Sequence, residues 1–266
     1  MHHVHVNSLP LPERFAFESV SETSRTTAME WAGPVSAALK QTRAINEGQE
    51  VLADEFWSPA RIVRAAVDSK VRGPERTELI SHAADVALRI YAGVPAHEQL
   101  EELEHKLKTT NLLGVTTEQT VDYSSMGAYA ADKSEATSAK IAEKLPEEPL
   151  FIVALCHGGL VAALQTALYS ARRQDVTVYP IRSSIRKHGD RGLYLPDDDE
   201  YRHVTALTKN RHAIIHDEDA SSGTTIEQAV VSLRRITSRT NILGVANADH
   251  RSDKERARQG EWWERV

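Results

Sequence analysis

Four short apolar runs in the second half of the chain constrain its fold more than any other feature. They are Leu150-Phe151-Ile152-Val153-Ala154-Leu155, Val176-Thr177-Val178-Tyr179-Pro180-Ile181, Ala213-Ile214-Ile215 and Ile242-Leu243-Gly244-Val245-Ala246. Helical segments separate them, Leu160 to Arg172 between the first pair and Thr225 to Ile236 between the last. Strands joined by a helix of that length run parallel, so the pattern predicts an α/β fold with a doubly wound, mainly parallel sheet. A helix from about Ser125 to Leu145, stopped by Pro146, is expected to lead into it.

The first half of the chain has a different grammar. From about Thr26 to Lys108 it reads as helices with polar breaks and no strand signal. Ser58-Pro59 has the form of an N-cap followed by proline, with Ile62, Ala65, Ala66 and Val67 on one face. Glu78 to Tyr91 repeats the pattern and ends near Gly93-Val94-Pro95, and His97 to Lys108 carries Leu100, Leu103 and Leu107 on one side. Gly114 to Thr120 reads as a loop. The expected organisation is a helical N-terminal domain or cap over residues 1–120 and an α/β domain over residues 121–266.

Composition removes several function classes. A formal charge of -6 over 266 residues lacks the Lys and Arg surplus that a nucleic-acid coat requires. Cys156 is the single cysteine, so no intrachain disulfide or multi-cysteine zinc site forms, which suits a reducing, cytoplasmic setting. The start of the chain lacks a secretory signal pattern and no run is apolar for long enough to cross a membrane. His2, His3 and His5 have no scaffold to make them a metal site and read as a mobile terminus.

Chemistry concentrates in Ala213-Ile214-Ile215-His216-Asp217-Glu218-Asp219-Ala220-Ser221-Ser222-Gly223-Thr224-Thr225. Ser221, Ser222, Gly223, Thr224 and Thr225 offer hydroxyls and backbone N–H groups to a phosphate at a helix N-terminus. Asp217 and Glu218 suit ribose hydroxyls and Mg²⁺, which takes oxygen ligands. A phosphorylated sugar satisfies both halves.

These residues resemble the 5-phosphoribosyl-1-pyrophosphate (PRPP) signature of the type I phosphoribosyltransferase family. Asp217 and Glu218 fall on its acidic pair, and Ser221 to Thr225 on its 5′-phosphate loop. His216 and Asp219 stand at positions where the family keeps apolar residues, and Ser221 replaces the aspartate base of purine-specific members. Cys156-His157-Gly158-Gly159-Leu160 resembles the family's pyrophosphate loop, with His157 where Arg or Lys is common.

Arg182-Ser183-Ser184-Ile185-Arg186-Lys187-His188-Gly189-Asp190 is similar to the flexible loop of orotate phosphoribosyltransferases. Arg182, Arg186, His188, Gly189 and Asp190 fall in register, with Arg186 in place of the second lysine; Ser183 replaces the first lysine, for which Lys187, next to Arg186, would be the substitute. A long basic loop suits a lid that excludes water and meets the charge of a departing pyrophosphate.

The resemblance implies Mg²⁺-dependent transfer of a phosphoribosyl group from PRPP to a nitrogen nucleophile, in a homodimer. Arg186, His188, Asp217 and Glu218 would be catalytic and Asp217 and Glu218 would hold the metal. Cys156, His157, Gly158, Gly159, Arg182, Lys187 and Ser221 to Thr225 would bind PRPP. A non-catalytic PRPP or nucleotide sensor is the alternative. A third reading, a phosphatase with Asp217-x-Asp219 as nucleophile and acid, leaves too few residues after the motif for its remaining units. Trp262-Trp263 is expected to anchor the tail or stack on the acceptor.

Overall fold

The apolar runs become four parallel strands because buried backbone groups must be paired, on both sides for the two inner strands and on one side for the two edge strands. The computed structural model describes residues 6, 9, 29–49, 55–121, 127–145, 148–156, 158–183, 189, 191–220, 222–239, 241–250 and 252. Over these residues the chain is an α/β protein with eight α-helices. The main strands are β3 (Leu150–Cys156), β4 (Val176–Arg182), β5 (His212–Ala220) and β6 (Ile242–Asp249), in the order β4-β3-β5-β6. All three pairings are parallel. Helix α5 (Ala131–Lys144) precedes β3, α6 (Leu160–Ser170) follows it, α7 (Asp198–Leu207) precedes β5, and α8 (Thr224–Thr237) joins β5 to β6.

This order puts a topological switch between β3 and β5. The chain leaves β3 through α6 towards β4, and leaves β5 through α8 towards β6. Right-handed crossovers in opposite directions set helices on opposite faces, compatible with a doubly wound fold. The pairings then diverge. The β3–β5 ladder ends at Ala154 and His216. The β3–β4 ladder continues to Cys156 and Arg182, and β5–β6 to Ala220 and Asp249. The ladder between β3 and β5 thus stops short of their carboxyl ends, the switch point at which a doubly wound sheet offers its crevice.

The first half contains helices α1 (Val35–Asn46), α2 (Ser58–Asp68), α3 (Gly73–Tyr91) and α4 (His97–Thr109). It also contains two strands that the sequence reading misses. β1 (Met29–Pro34) pairs antiparallel with β2 (Thr116–Val121), where no strand and a loop are expected. Thr116, Thr117 and Thr120 make β2 locally strand-compatible, but its partner lies more than eighty residues away and only the tertiary fold supplies it. Arg61 fixes the pair to α2, donating from Nε to Thr117 Oγ1 at 3.3 Å and from Nη2 to the Gly33 carbonyl at 3.3 Å.

Two further boundaries move. The helix expected from Ser125 begins at Ala131, behind a 3-10 turn at Gly127–Tyr129. The polar, acid-rich stretch that follows the basic loop, which in sequence reads as a continuation of that loop to Tyr201, folds from Asp198 onward into α7. Its start is a capping arrangement in which Asp197 accepts the Glu200 N–H at 2.9 Å.

α3 touches β4, α6 and α7 and so covers the β4 edge of the sheet. One contiguous apolar core runs from α1 to β6. At its centre the guanidinium of Arg76 is fully buried. It donates to Glu200 Oε2 at 2.6 Å and to the Val67 and Ser69 carbonyls at 2.6 and 3.1 Å, satisfying the end of α2.

Candidate functional site

The crevice is where the two glycine- and acid-bearing segments meet. β5 extends past the expected Ala213–Ile215 to Ala220, so Asp217 and Glu218 lie within the strand and alternate across it. His216 and Glu218 share one face. His216 reaches Thr166 in α6, and Glu218 reaches the turn that opens α6.

The glycines of that turn are required by close approach. A Cβ on Gly158 would collide with the Glu218 carboxylate. A Cβ on Gly159 would lie 2.5 Å from Asp217 Cα, 2.7 Å from Asp217 Oδ1 and 2.9 Å from the His216 carbonyl oxygen. Segments some sixty residues apart in sequence are thus in direct contact. The obstacle at Gly159 is backbone, whereas that at Gly158 is the end of a flexible side chain. Gly159→Ala is therefore expected to destabilise the protein by about 1–3 kcal/mol. Gly158→Ala is expected to cost under about 1 kcal/mol while displacing Glu218. Urea unfolding of the two variants checks the ranking.

Asp217 and Glu218 are half-buried, and Asp217 Oδ1 accepts the Glu218 N–H at 3.1 Å. Beyond them Gly223 turns the chain into α8 with φ of +70°, a conformation that favours glycine. Ser222 Oγ lies 3.0 Å from Thr224 Oγ1 and accepts the Thr224 N–H at 3.3 Å. Ser222 is exposed, Thr224 and Thr225 are half-buried, and the positive end of the α8 dipole faces the same side. Ser221 and His157 lie outside the described residues.

Arg182 lies across from Cys156 in the β3–β4 register. Its guanidinium stacks on Tyr194, 3.5 Å from the ring centroid, and its carbonyl accepts the Tyr194 N–H at 2.8 Å. This bridge closes the foot of the basic loop. On the returning limb Gly192 packs against α8, where a Cβ would lie 2.9 Å from Ser232 Cβ. Arg186, Lys187, His188 and Asp190 lie outside the described residues, as do Trp262 and Trp263.

Burial pushes the Cys156 thiol pKa well up, so Cys156 is a buried thiol rather than a nucleophile. His216 is buried between β5, β6 and α6, with Nε2 at 3.0 Å from Thr166 Oγ1 and 3.2 Å from Asn247 Oδ1. Desolvation lowers its pKa to about 4, with the Asn247 contact opposing. The unfolded chain then binds a proton near pH 6.5 that the folded chain refuses, so stability is full above that pH and falls as pH drops towards 4. The expected loss is up to about 3 kcal/mol, read by urea unfolding at about pH 7 and 4.5. His216→Gln should flatten the profile.

Sequence reasoning missed two residues here. Tyr129 donates its hydroxyl to the Gly158 carbonyl at 3.2 Å, and Asn247, 3% exposed, donates through Nδ2 to the Ala128 carbonyl at 2.8 Å. Neither belongs to a motif. The one signal for Asn247 is an amide within the otherwise apolar stretch from Ile242 to Ala248.

The site has the means to hold anions beside carboxylates. Asp217 and Glu218 supply hard oxygen donors against the glycine turn, which fits Mg²⁺ when ligand oxygens complete its shell. Among the described residues no group of three or more His, Cys, Asp or Glu forms a metal cage by itself. No described helix is long and apolar enough to cross a membrane. No protein-family model matches this chain, and a search of curated proteins finds no match to it.

Proposed function

We propose that the crevice between β3 and β5 binds PRPP with Mg²⁺ and that the protein transfers the 5-phosphoribosyl group to a nitrogen nucleophile, releasing pyrophosphate. One observation carries this reading. The Gly158-Gly159 turn, the Asp217-Glu218 pair and the Gly223-Thr224-Thr225 helix start converge at the carboxyl ends of adjacent strands at the sheet's switch point.

In this reading Asp217 and Glu218 accept hydrogen bonds from the ribose hydroxyls and fix the sugar ring. Backbone N–H groups at Gly158 and Gly159 face the diphosphate, and those of Gly223 to Thr225 face the 5′-phosphate. The acceptor nitrogen forms its bond to C1 from the face opposite the diphosphate. The C1–O bond breaks with its electron pair passing to the diphosphate, so configuration inverts. Mg²⁺ held with Asp217 and Glu218 would neutralise charge on that leaving group. Arg182 stands at the foot of the loop, from which Arg186, Lys187 and His188 would meet the same charge and exclude water. A homodimer and a cytoplasmic setting belong to the same proposal.

Isothermal titration with PRPP and Mg²⁺, followed by pyrophosphate release against a panel of nucleobases, tests the reading. Magnesium-dependent binding with acceptor-dependent release supports the enzyme. Binding without release for any acceptor supports a PRPP sensor, which the serine at position 183 in place of a loop lysine favours. No binding at millimolar PRPP overturns both.

A further inference from the structure

The β3–β5 ladder stops at Ala154 and His216, before either the glycine turn or the acid pair. Beyond it the turn is tied to β4 and the acids to β6, so ladder hydrogen bonds do not set the width of the crevice. Besides the direct contacts of Gly158 and Gly159 with β5, a buried side-chain path links the turn to β6. Asn247 lies on β6 between Ala246, paired with Asp217, and Ala248, paired with Asp219, and so stands beside Glu218. Its amide reaches the 3-10 turn and α5, donating to the Ala128 carbonyl at 2.8 Å and to Ser134 Oγ at 3.0 Å. The next residue, Tyr129, donates to the Gly158 carbonyl. Trp57 holds the Tyr129 ring edge-on, with centroids 4.6 Å apart.

Asn247 is oriented from its other end too. Oδ1 faces His216 Nε2 at 3.2 Å and the Thr137 hydroxyl at 2.8 Å. Two acceptors on one side and donors on the other leave a single amide orientation. An amide satisfied at both ends in a buried site holds its partners rigidly.

We propose that Asn247 and Tyr129 are positioning residues that set the anion-binding turn at Gly158 relative to the acid-bearing strand, acting through the Ala128–Tyr129 peptide. The proposal rests on the PRPP reading of the crevice. It assigns the pair a selective effect: they fix the turn that faces the diphosphate, and leave the start of α8 that faces the 5′-phosphate unaffected.

The test compares inorganic pyrophosphate with Mg²⁺ against ribose 5-phosphate, by calorimetry, in the full chain. Tyr129→Phe keeps the ring on Trp57 and removes only the hydroxyl. It is expected to weaken pyrophosphate binding about tenfold, the scale of one hydrogen bond, and ribose 5-phosphate binding less than about twofold. Asn247→Leu is expected to show the same selectivity, and the double variant to lose no more than the larger single loss, because the two act in series. Unchanged pyrophosphate affinity in Tyr129→Phe, or equal losses for both ligands, would overturn the proposal. If Asn247→Leu does not fold, Tyr129→Phe alone decides. Wild-type protein that binds neither ligand overturns the PRPP reading itself, an outcome distinct from wild-type binding that the variants leave untouched.

Discussion

Asp217→Asn with Glu218→Gln is expected to weaken binding of PRPP with Mg²⁺ at least about a hundredfold while leaving the fold intact. Two carboxylates that accept charged or polar donors contribute about 1.5–3 kcal/mol each, and their joint removal also takes away the protein's oxygen ligands for the metal. The fold should survive because both substitutions preserve shape. The amide introduced by Asp217→Asn keeps an oxygen that can accept the neighbouring backbone N–H, as Asp217 Oδ1 does from Glu218 at 3.1 Å. Both positions are half-buried, so neither amide is stranded in an apolar core. Titration calorimetry reads the affinity and the urea midpoint reads the fold. A double variant that binds PRPP as the wild type does would remove the acid pair from the site.

Arg76→Met is expected to destabilise the protein by about 3–5 kcal/mol, the scale for breaking a buried ion pair. Burial raises the Glu200 pKa above its ordinary value, with Arg76 partly offsetting the effect. Without Arg76 the carboxyl stays buried beside the Tyr179 hydroxyl, which donates to it at 3.3 Å. Its pKa then rises further. A folded-state pKa above the unfolded one means that the folded protein holds the extra proton. Stability of the variant should therefore fall as pH rises through the window above 4.5, more steeply than in the wild type. Arg76→Met/Glu200→Leu should recover part of the loss and remove this pH dependence. It should not recover all of it, because the Val67 and Ser69 carbonyls also lose their donor. Urea unfolding at about pH 5 and 8 separates the contributions. A single variant as stable as the wild type would mean that the pair does not join α3 to α7.

The four core strands were legible because their residues carry local signals: continuous apolar runs, glycine after β3, acids then hydroxyls after the apolar part of β5. The capped start of α7 was equally local, in Asp197 and Glu200, yet the surrounding acids resembled a solvated loop. β1 and β2 were not legible, since each makes a strand only with the other.

The site divides in the same way. The sequence by itself determined the parallel α/β class and the chemical character of two segments, because glycines, carboxylates and hydroxyls at strand and helix ends have few alternative uses. Only the tertiary structure decided that these segments touch, that the β3–β5 ladder ends below them, and that Asn247 and Tyr129 meet Ala128 and Gly158. Their positions reflect pairings between residues 29 to 119 apart, such as Tyr129 with Gly158 and Asn247 with Ala128. Nothing in the local sequence encodes such partners, because a hydrogen bond depends on where the backbone has already brought its two ends.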